Sequence, residues 1–227
     1  MSLDDLLRHP ALWRAREQGG ASAPAGLPTG YPELDRCLPG GGWPSQGLIE
    51  LLADRSGIGE LSLLMPALSH LCGTGDDAGA AAGRGPCGAE PGGNGWLAWI
   101  SPPHVPYAPA LAAGGIDVRR VLVVRASPAE WAMEQALRSG ACSAVLGWAA
   151  CRDRQSLRRL QLAAEQSRCL AVLFRRLDDA REPSPAVLRI ALEGGCDGLG
   201  LHILKSRGGR AASLRLGTID AAAAHAH

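Results

Sequence analysis

Short apolar runs alternate with amphipathic segments along most of the chain. Strands are predicted at Leu48–Leu52, Trp96–Ile100, Val121–Arg125, Ser143–Trp148 and Cys169–Phe174. Continuous apolar runs of this length are typical of strands that are covered on both faces of a sheet. Further strands, expected to be antiparallel, are predicted at Val187–Leu192, Leu199–Lys205 and Ser213–Leu216. The pattern therefore predicts an α/β fold with a mainly parallel central sheet flanked by helices, followed by C-terminal antiparallel strands.

Helical segments separate the predicted strands. Glu60–Cys72 is predicted to be a helix kinked at Pro66, because proline removes a hydrogen bond from a helix interior. Ser127–Ser139 is predicted to be a helix with Ser127 as its cap. Gln155–Ser167 has the spacing of an amphipathic helix.

Composition divides the chain into a core and less regular segments. Residues 1–26 are predicted to be an arm and linker, 27–217 one domain, and 218–227 a tail. Residues 73–95 are rich in Gly and Ala and are predicted to be a disordered insertion, because they have little apolar surface to bury. The arm carries the apolar residues Leu3, Leu6, Leu7, Leu12 and Trp13.

Charge and cysteine content exclude few functions. The net charge is +1 over 227 residues, although residues 151–227 carry 13 basic against 8 acidic side chains. The seven cysteines form no C-x-x-C pair, which argues against a zinc site and a disulfide framework. No signal peptide or apolar run of membrane-spanning length is evident, so a reducing cytoplasm is the expected location.

The segment after the first predicted strand has the place of a phosphate-binding loop but not its residues. The frame G-x-x-x-x-G-K-[ST] falls on Ala53, Asp54, Arg55, Ser56, Gly57, Ile58, Gly59 and Glu60. The lysine that would reach the β- and γ-phosphates is replaced by Gly59, and the hydroxyl that would bind the metal by Glu60. Gly57 and Gly59 are expected to serve a strand-to-helix turn.

A wider resemblance connects this segment with the rest of the chain. The motif T-G-x-x-x-L-D at Thr29–Asp35 resembles the start of a RecA-type ATPase core. In that family the strand matching Ser143–Trp148 ends in a metal-binding Asp, and a water-activating Glu stands where Pro103 is found here. With three sites lost together, we expect no catalytic residue, no cofactor, no metal and no enzymatic activity.

More specifically than RecA-type cores in general, the chain resembles the ImuA family. The resemblance rests on ADRSGIGEL, WLAWISPPHVPYAPAL, EQALRSGACSAVLGW, SLRRLQLAAEQSRCLAVLFR and LHILKSRGGR. It implies a non-catalytic RecA-like adaptor of damage-induced (SOS) translesion synthesis and mutagenesis. The implied partners are the Y-family polymerase homologue ImuB, RecA, and through ImuB an error-prone replicative-type polymerase.

A different function stays open at this point. Residues 96–176 are also similar to SulA, the SOS inhibitor of cell division, which implies binding to the tubulin-like division protein. SulA-type chains are shorter and lack the complete Thr29–Asp35 motif and the C-terminal hairpin.

Two surfaces are predicted to make contacts. The five apolar residues of the arm are expected either to dock on a partner or to fold back on the domain. A basic contact surface is predicted at Arg175, Arg176, Lys205, Arg207 and Arg210. A solvated hairpin turn is the alternative for the last three residues, and contact with DNA is expected to be weak or indirect.

Overall fold

The structure is a computed structural model that describes residues 25–72, 95–151, 153–167 and 169–217. Eight strands form one sheet in the order β3-β2-β4-β5-β1-β6-β7-β8. The strands are β1 (Leu48–Ala53), β2 (Trp96–Ile100), β3 (Val121–Val124), β4 (Cys142–Trp148), β5 (Leu170–Arg176), β6 (Leu188–Gly195), β7 (Gly198–Ser206) and β8 (Ala212–Leu216). Strands β1 to β6 are parallel, whereas β6, β7 and β8 pair antiparallel. The predicted mixed α/β class, with its mainly parallel sheet and C-terminal antiparallel strands, is confirmed.

Five α-helices connect or flank these strands within the described residues. They are α1 (Pro32–Cys37), α2 (Met65–Cys72), α3 (Ala108–Ala113), α4 (Ala129–Arg138) and α5 (Arg154–Ser167). Short 3₁₀ helices occupy Val118–Arg120 and Leu177–Arg181.

Two apolar layers enclose the sheet. One layer contains Ile49 and Leu51 of β1 together with buried residues of α1 and α2. The other contains Leu48 of β1 with buried residues of α4 and α5. Because side chains alternate across a strand, the leucines and isoleucine of β1 supply both layers.

Two of the predicted helix starts are wrong. Residues 60–64 form turns, and α2 begins at Met65. Pro66 therefore lies in the first turn, where its missing N–H has no intrahelical partner to lose, and it produces no kink. Ser127 does not cap α4, because Pro128 holds the capping position and no side chain makes a capping hydrogen bond there.

Candidate functional site

In the loop after β1, a carboxylate of the chain accepts the backbone hydrogen bonds that a bound anion would accept. Glu60 is buried, and its two carboxylate oxygens accept hydrogen bonds from the N–H of Gly57 at 2.7 Å and of Ile58 at 2.9 Å. Backbone N–H groups of this kind bind phosphate in nucleotide-binding loops. In this chain those two donors are already occupied, so the loop is closed on itself.

The glycines of the loop have the structural role expected for them. Gly57 has a φ of 83° and Gly59 a φ of 109°, a backbone region that other residues rarely adopt. This conformation turns the chain back so that the Glu60 carboxylate reaches the N–H groups before it. The residue at the lysine position is therefore a turn residue.

Aromatic side chains fill the place beside this loop. Trp148, at the position where the resemblance to RecA-type cores predicts a metal-binding Asp, stacks on Phe174 of β5 with ring centroids 4.4 Å apart and planes 10° apart. Trp99 of β2 packs against Trp148 at 5.9 Å. The indole N–H of Trp99 is buried and has no hydrogen-bond partner among the described residues. The end of β4 therefore contributes to the core and offers no oxygen ligand.

A cleft of about 400 Å³ remains at the carboxyl ends of β1, β4 and β5. Its lining includes Asp54, Arg55, Ser56, Trp148 and Arg176. This edge is where open α/β sheets bind ligands. The cleft combines a stacked aromatic wall with charges of both signs, and the described residues contain no group of three or more His, Cys, Asp or Glu side chains placed to hold a metal ion.

The third position expected from the resemblance is also without an acid. Pro103 is exposed in the loop after β2, and His104 beside it is exposed as well. Ser101, at the end of β2, has a φ of 52°. Its hydroxyl donates to the carbonyl of Ala126 at 3.0 Å and accepts from the N–H of the same residue at 3.2 Å. These reciprocal hydrogen bonds connect the ends of β2 and β3, so Ser101 has a structural role.

The motif Thr29–Asp35 forms a turn that leads into α1 and includes its first residues. The Asp35 carboxylate accepts from the N–H of Thr29 at 3.0 Å, and Leu34 is fully buried. Gly30 has a φ of 86°, and a Cβ there would lie 2.4 Å from the Cβ of Pro66. The motif therefore fixes α1 against the start of α2, and its spacing has a packing explanation.

A buried ionic network lies on the α5 side of the sheet, and the sequence analysis missed it. Glu50 of β1 accepts from Nε of Arg189 at 2.7 Å and lies 3.5 Å from Nη1 of Arg175. The hydroxyl of Ser184 also donates to Glu50. A glutamate within the apolar run LIELL was the available signal, since buried carboxylates are rarely left without a charged partner.

This network holds the segment after β5 against the sheet. Arg189 donates to the backbone carbonyls of Asp179 at 2.9 Å, Ala180 at 3.3 Å and Glu182 at 3.0 Å. Arg175 donates to the carbonyl of Cys151 at 2.8 Å. Residues 177–184 are thus pinned at many points by buried arginines.

The predicted basic surface is wrong at Arg175. Its side chain has no exposed area, and it faces Glu50 and Asp179. The prediction failed because β5 extends beyond Phe174 to Arg176. Arg175 therefore lies within the sheet, and its side chain points toward the buried Glu50. Arg176 is exposed at the cleft, 3.8 Å from Asp178.

The other three residues of the predicted basic surface lie at the end of the β7–β8 hairpin and are exposed: Lys205, Arg207 and Arg210. Lys205 donates to the carbonyl of Ser184 at 2.8 Å, and partial burial followed by the charges of Arg207 and Arg189 lowers its pKa. Arg207 pairs with Glu165 of α5 at 3.1 Å. Arg210 lies between β7 and β8, after the turn. The structure brings Lys205 and Arg207 together but separates them from Arg176, which lies at the cleft.

Several predictions fall outside the described residues. These are the apolar arm residues Leu3, Leu6, Leu7, Leu12 and Trp13, the tail, and all of the predicted insertion except Gly95. Within the described residues, no helix has the length and apolar character needed to cross a membrane.

Comparisons with known proteins give partial matches. No family model matches the chain. It is 40% identical over 82 residues to the cell division inhibitor SulA of Edwardsiella piscicida, covering 35% of this chain and 49% of that protein. It is 32% identical over 97 residues to the cell division inhibitor SulA of Photorhabdus laumondii, covering 41% of this chain and 55% of that protein. The chain spans about half the length of the curated relatives it matches.

Proposed function

We propose that this chain is a non-catalytic, SulA-like protein of the SOS response that inhibits cell division by binding the tubulin-like division protein. The observation that carries the proposal is the 40% identity over 82 residues to a protein named as a cell division inhibitor. This similarity favours the inhibitor over the ImuA-like adaptor that the sequence motifs alone favoured.

The site geometry supports action by contact instead of by chemistry. Glu60 occupies N–H groups of the loop that would otherwise bind a phosphate, and Trp148 packs where a metal ligand would be needed. A protein that cannot position nucleotide and metal has little basis for phosphoryl transfer, because that reaction depends on positioning and electrostatics. The cytoplasm is the compartment in which such a protein would meet its target.

A second candidate is the translesion-synthesis adaptor that contacts ImuB, RecA and, through ImuB, the replicative-type polymerase. The complete Thr29–Asp35 turn and the β7–β8 hairpin favour it, since both features were expected to be missing from SulA-type chains. The aligned 82 residues are also a smaller share of this chain than of its relative, so this chain is the longer of the two. In this second function DNA contact would be weak or indirect, because buried arginines pin the segment after β5.

The experiment that tests the proposal uses the full chain and the purified division protein of the same organism. Sedimentation of polymers formed with GTP should show less pelleted division protein as the chain is added. Expression of the chain should also produce filamentous cells. Unchanged polymer yield with normal cell length, together with recovery of ImuB or RecA from damaged cells, would exclude the inhibitor and establish the adaptor.

The proposal that the chain is non-catalytic has its own test. Isothermal titration with magnesium-ATP should give no heat of binding. Micromolar affinity would show that the loop around Glu60 can open, and it would remove the argument for a non-catalytic protein.

A further inference from the structure

A small pocket lies between helix α5 and the segment that joins β5 to β6. Its volume is about 80 Å³, and it is lined by Arg154, Arg158, Pro183, Ser184 and Pro185. A water molecule takes up about 30 Å³ in the liquid, whereas a cavity that binds benzene measures about 150 Å³. The pocket therefore has room for a group the size of a carboxylate and not for an aromatic ring.

The two arginines of this pocket are exposed cations without a counter-charge. Neither Arg154 nor Arg158 makes an ion pair among the described residues. By contrast, Arg159 on the same helix pairs with Glu134 at 3.3 Å. Arg154 and Arg158 are four residues apart, so they lie on one face of α5, and like charges at this spacing repel each other. An anion held between them would remove that repulsion.

A third cation reaches the same pocket from the sheet. The Nζ of Lys205 donates to the carbonyl of Ser184 at 2.8 Å, and Lys205 makes no ion pair among the described residues. Arg207 lies beyond it, although Glu165 at 3.1 Å partly neutralises this fourth cation. Three charges without an acidic partner thus converge on Ser184, and they give this surface a positive potential.

The proline wall of the pocket is held in place by the rest of the fold. Arg189 donates to the carbonyl of Glu182 at 3.0 Å, and the hydroxyl of Ser184 donates into the buried network. Pro183 and Pro185 restrict their own backbone further, because the proline ring fixes φ. A ligand of this pocket therefore has little protein motion to suppress, which lowers the entropic cost of binding.

Two features favour a carboxylate of a protein over the phosphate backbone of a nucleic acid. Asp153 and Glu182, which come immediately before Arg154 and Pro183, are both exposed. A continuous phosphate backbone would pass these like charges, whereas a single side chain can enter between them. Base stacking has no support either, because none of the exposed aromatic residues among the described residues lines the pocket.

We propose that this α5 pocket binds an acidic segment of a protein partner, with one Glu or Asp carboxylate between Arg154 and Arg158 and a neighbouring carboxylate toward Lys205. Arginine suits the first contact, because its planar group can donate to both oxygens of a carboxylate. The proposal rests on the proposed function, in that the chain acts by contacting proteins and the partner is then the division protein. It gives the chemistry of one such contact.

The test measures binding of labelled peptides to the full chain by fluorescence anisotropy at about 0.15 M salt. The peptide GSDEEDEGS should bind, and GSNQQNQGS should bind about tenfold more weakly or less, because it keeps the shape and loses the charge. Salt at about 1 M should release the acidic peptide, since it shortens the Debye length to about 3 Å. Equal binding of the two peptides, or no binding of the acidic one, would overturn the proposal.

Variants locate the binding on the protein. Arg158→Glu should weaken binding of the acidic peptide about tenfold, and Lys205→Met, which removes one charge without reversing it, about threefold. The matched control is Arg125→Glu, because Arg125 is exposed at the end of β3, at the other end of the sheet from β7. It changes the net charge as Arg158→Glu does and should bind as the parent does. Equal losses in these two variants, or no loss in Arg158→Glu, would overturn the proposal, and melting temperatures show that each variant is folded.

Other partners give distinguishable outcomes. A DNA duplex of about 20 base pairs that binds more tightly than the acidic peptide, and loses affinity in Arg158→Glu, would assign the surface to nucleic acid and overturn the proposal. In sedimentation with the division protein, Arg158→Glu should inhibit less than the parent. Full inhibition by this variant would overturn the contact and leave the proposed function intact. No inhibition by the parent chain would instead remove the proposed function, and the peptide result would then decide this proposal by itself.

Discussion

Glu50→Leu should destabilise the fold strongly, because Glu50 is the common partner of two buried arginines. The carboxylate lies 2.7 Å from Nε of Arg189 and 3.5 Å from Nη1 of Arg175. Leucine has a similar volume, so the substitution mainly removes charge. Arg189 would keep its three bonds to backbone carbonyls, but both guanidinium groups would be left without their shared, fully buried counter-charge.

The expected loss is set by the cost of an unpaired buried charge. Breaking a buried ion pair by removing one partner typically costs about 3–5 kcal/mol. Two arginines are affected here, although Asp179 at 3.3 Å still faces Arg175 and limits the loss. We therefore expect about 4 kcal/mol, a large part of the roughly 5–15 kcal/mol of a typical domain.

Urea unfolding followed by tryptophan fluorescence measures this loss. Glu193→Gln is the matched control, because its carboxylate is 66% exposed and its one ion pair among the described residues is with His202 at 3.5 Å, so a change within about 0.5 kcal/mol is expected. Hydrogen exchange should also show faster exchange in residues 177–184, which Arg189 pins. A loss below about 1 kcal/mol for Glu50→Leu, without faster exchange in that segment, would refute the reasoning about the network.

Three further predictions concern single positions. Gly59→Lys, which restores the lysine of the phosphate loop, should not produce ATP binding by calorimetry, because its φ of 109° is strained for lysine and Glu60 still occupies the loop donors. Gly30→Ala should lower the urea midpoint, since the new Cβ would lie 2.4 Å from Pro66 Cβ at a φ of 86°; an unchanged midpoint contradicts this. Burial raises the pKa of Cys151 to about 12, so at pH 8 its thiol stays protonated, and iodoacetamide should label exposed Cys196 first by peptide mass spectrometry. Equal labelling of the two thiols in the folded chain would show that Cys151 is not protected.

The sequence predicted the sheet well because buried parallel strands leave a simple signal. Five apolar runs became β1 to β5 with boundaries shifted by at most two residues, and β1, β2, β4 and β5 are buried along most of their length. Helix starts were harder to predict. A proline such as Pro66 is compatible with the first turn of a helix as well as with a kink, and the structure shows the first turn, because residues 60–64 form turns and α2 begins at Met65.

The site was predictable as a set of missing residues but not as a set of contacts. The sequence shows that Glu60 replaces a hydroxyl, yet its bonds to Gly57 and Ile58 depend on the backbone angles of the loop. The length of β5 determines where Arg175 lies. Because β5 continues two residues past its predicted end, an arginine predicted at the surface instead completes a buried network with Glu50.

Groups that would bind phosphate or metal in a nucleotide-binding protein have internal partners in this chain. The carboxylate of Glu60 satisfies loop N–H groups, and Trp148 and Phe174 stack where a metal site would have exposed oxygen ligands. Groups satisfied within the chain have little left to offer a ligand, since binding must first break those contacts. The carboxyl ends of β1 and β4 therefore contribute mainly to stability.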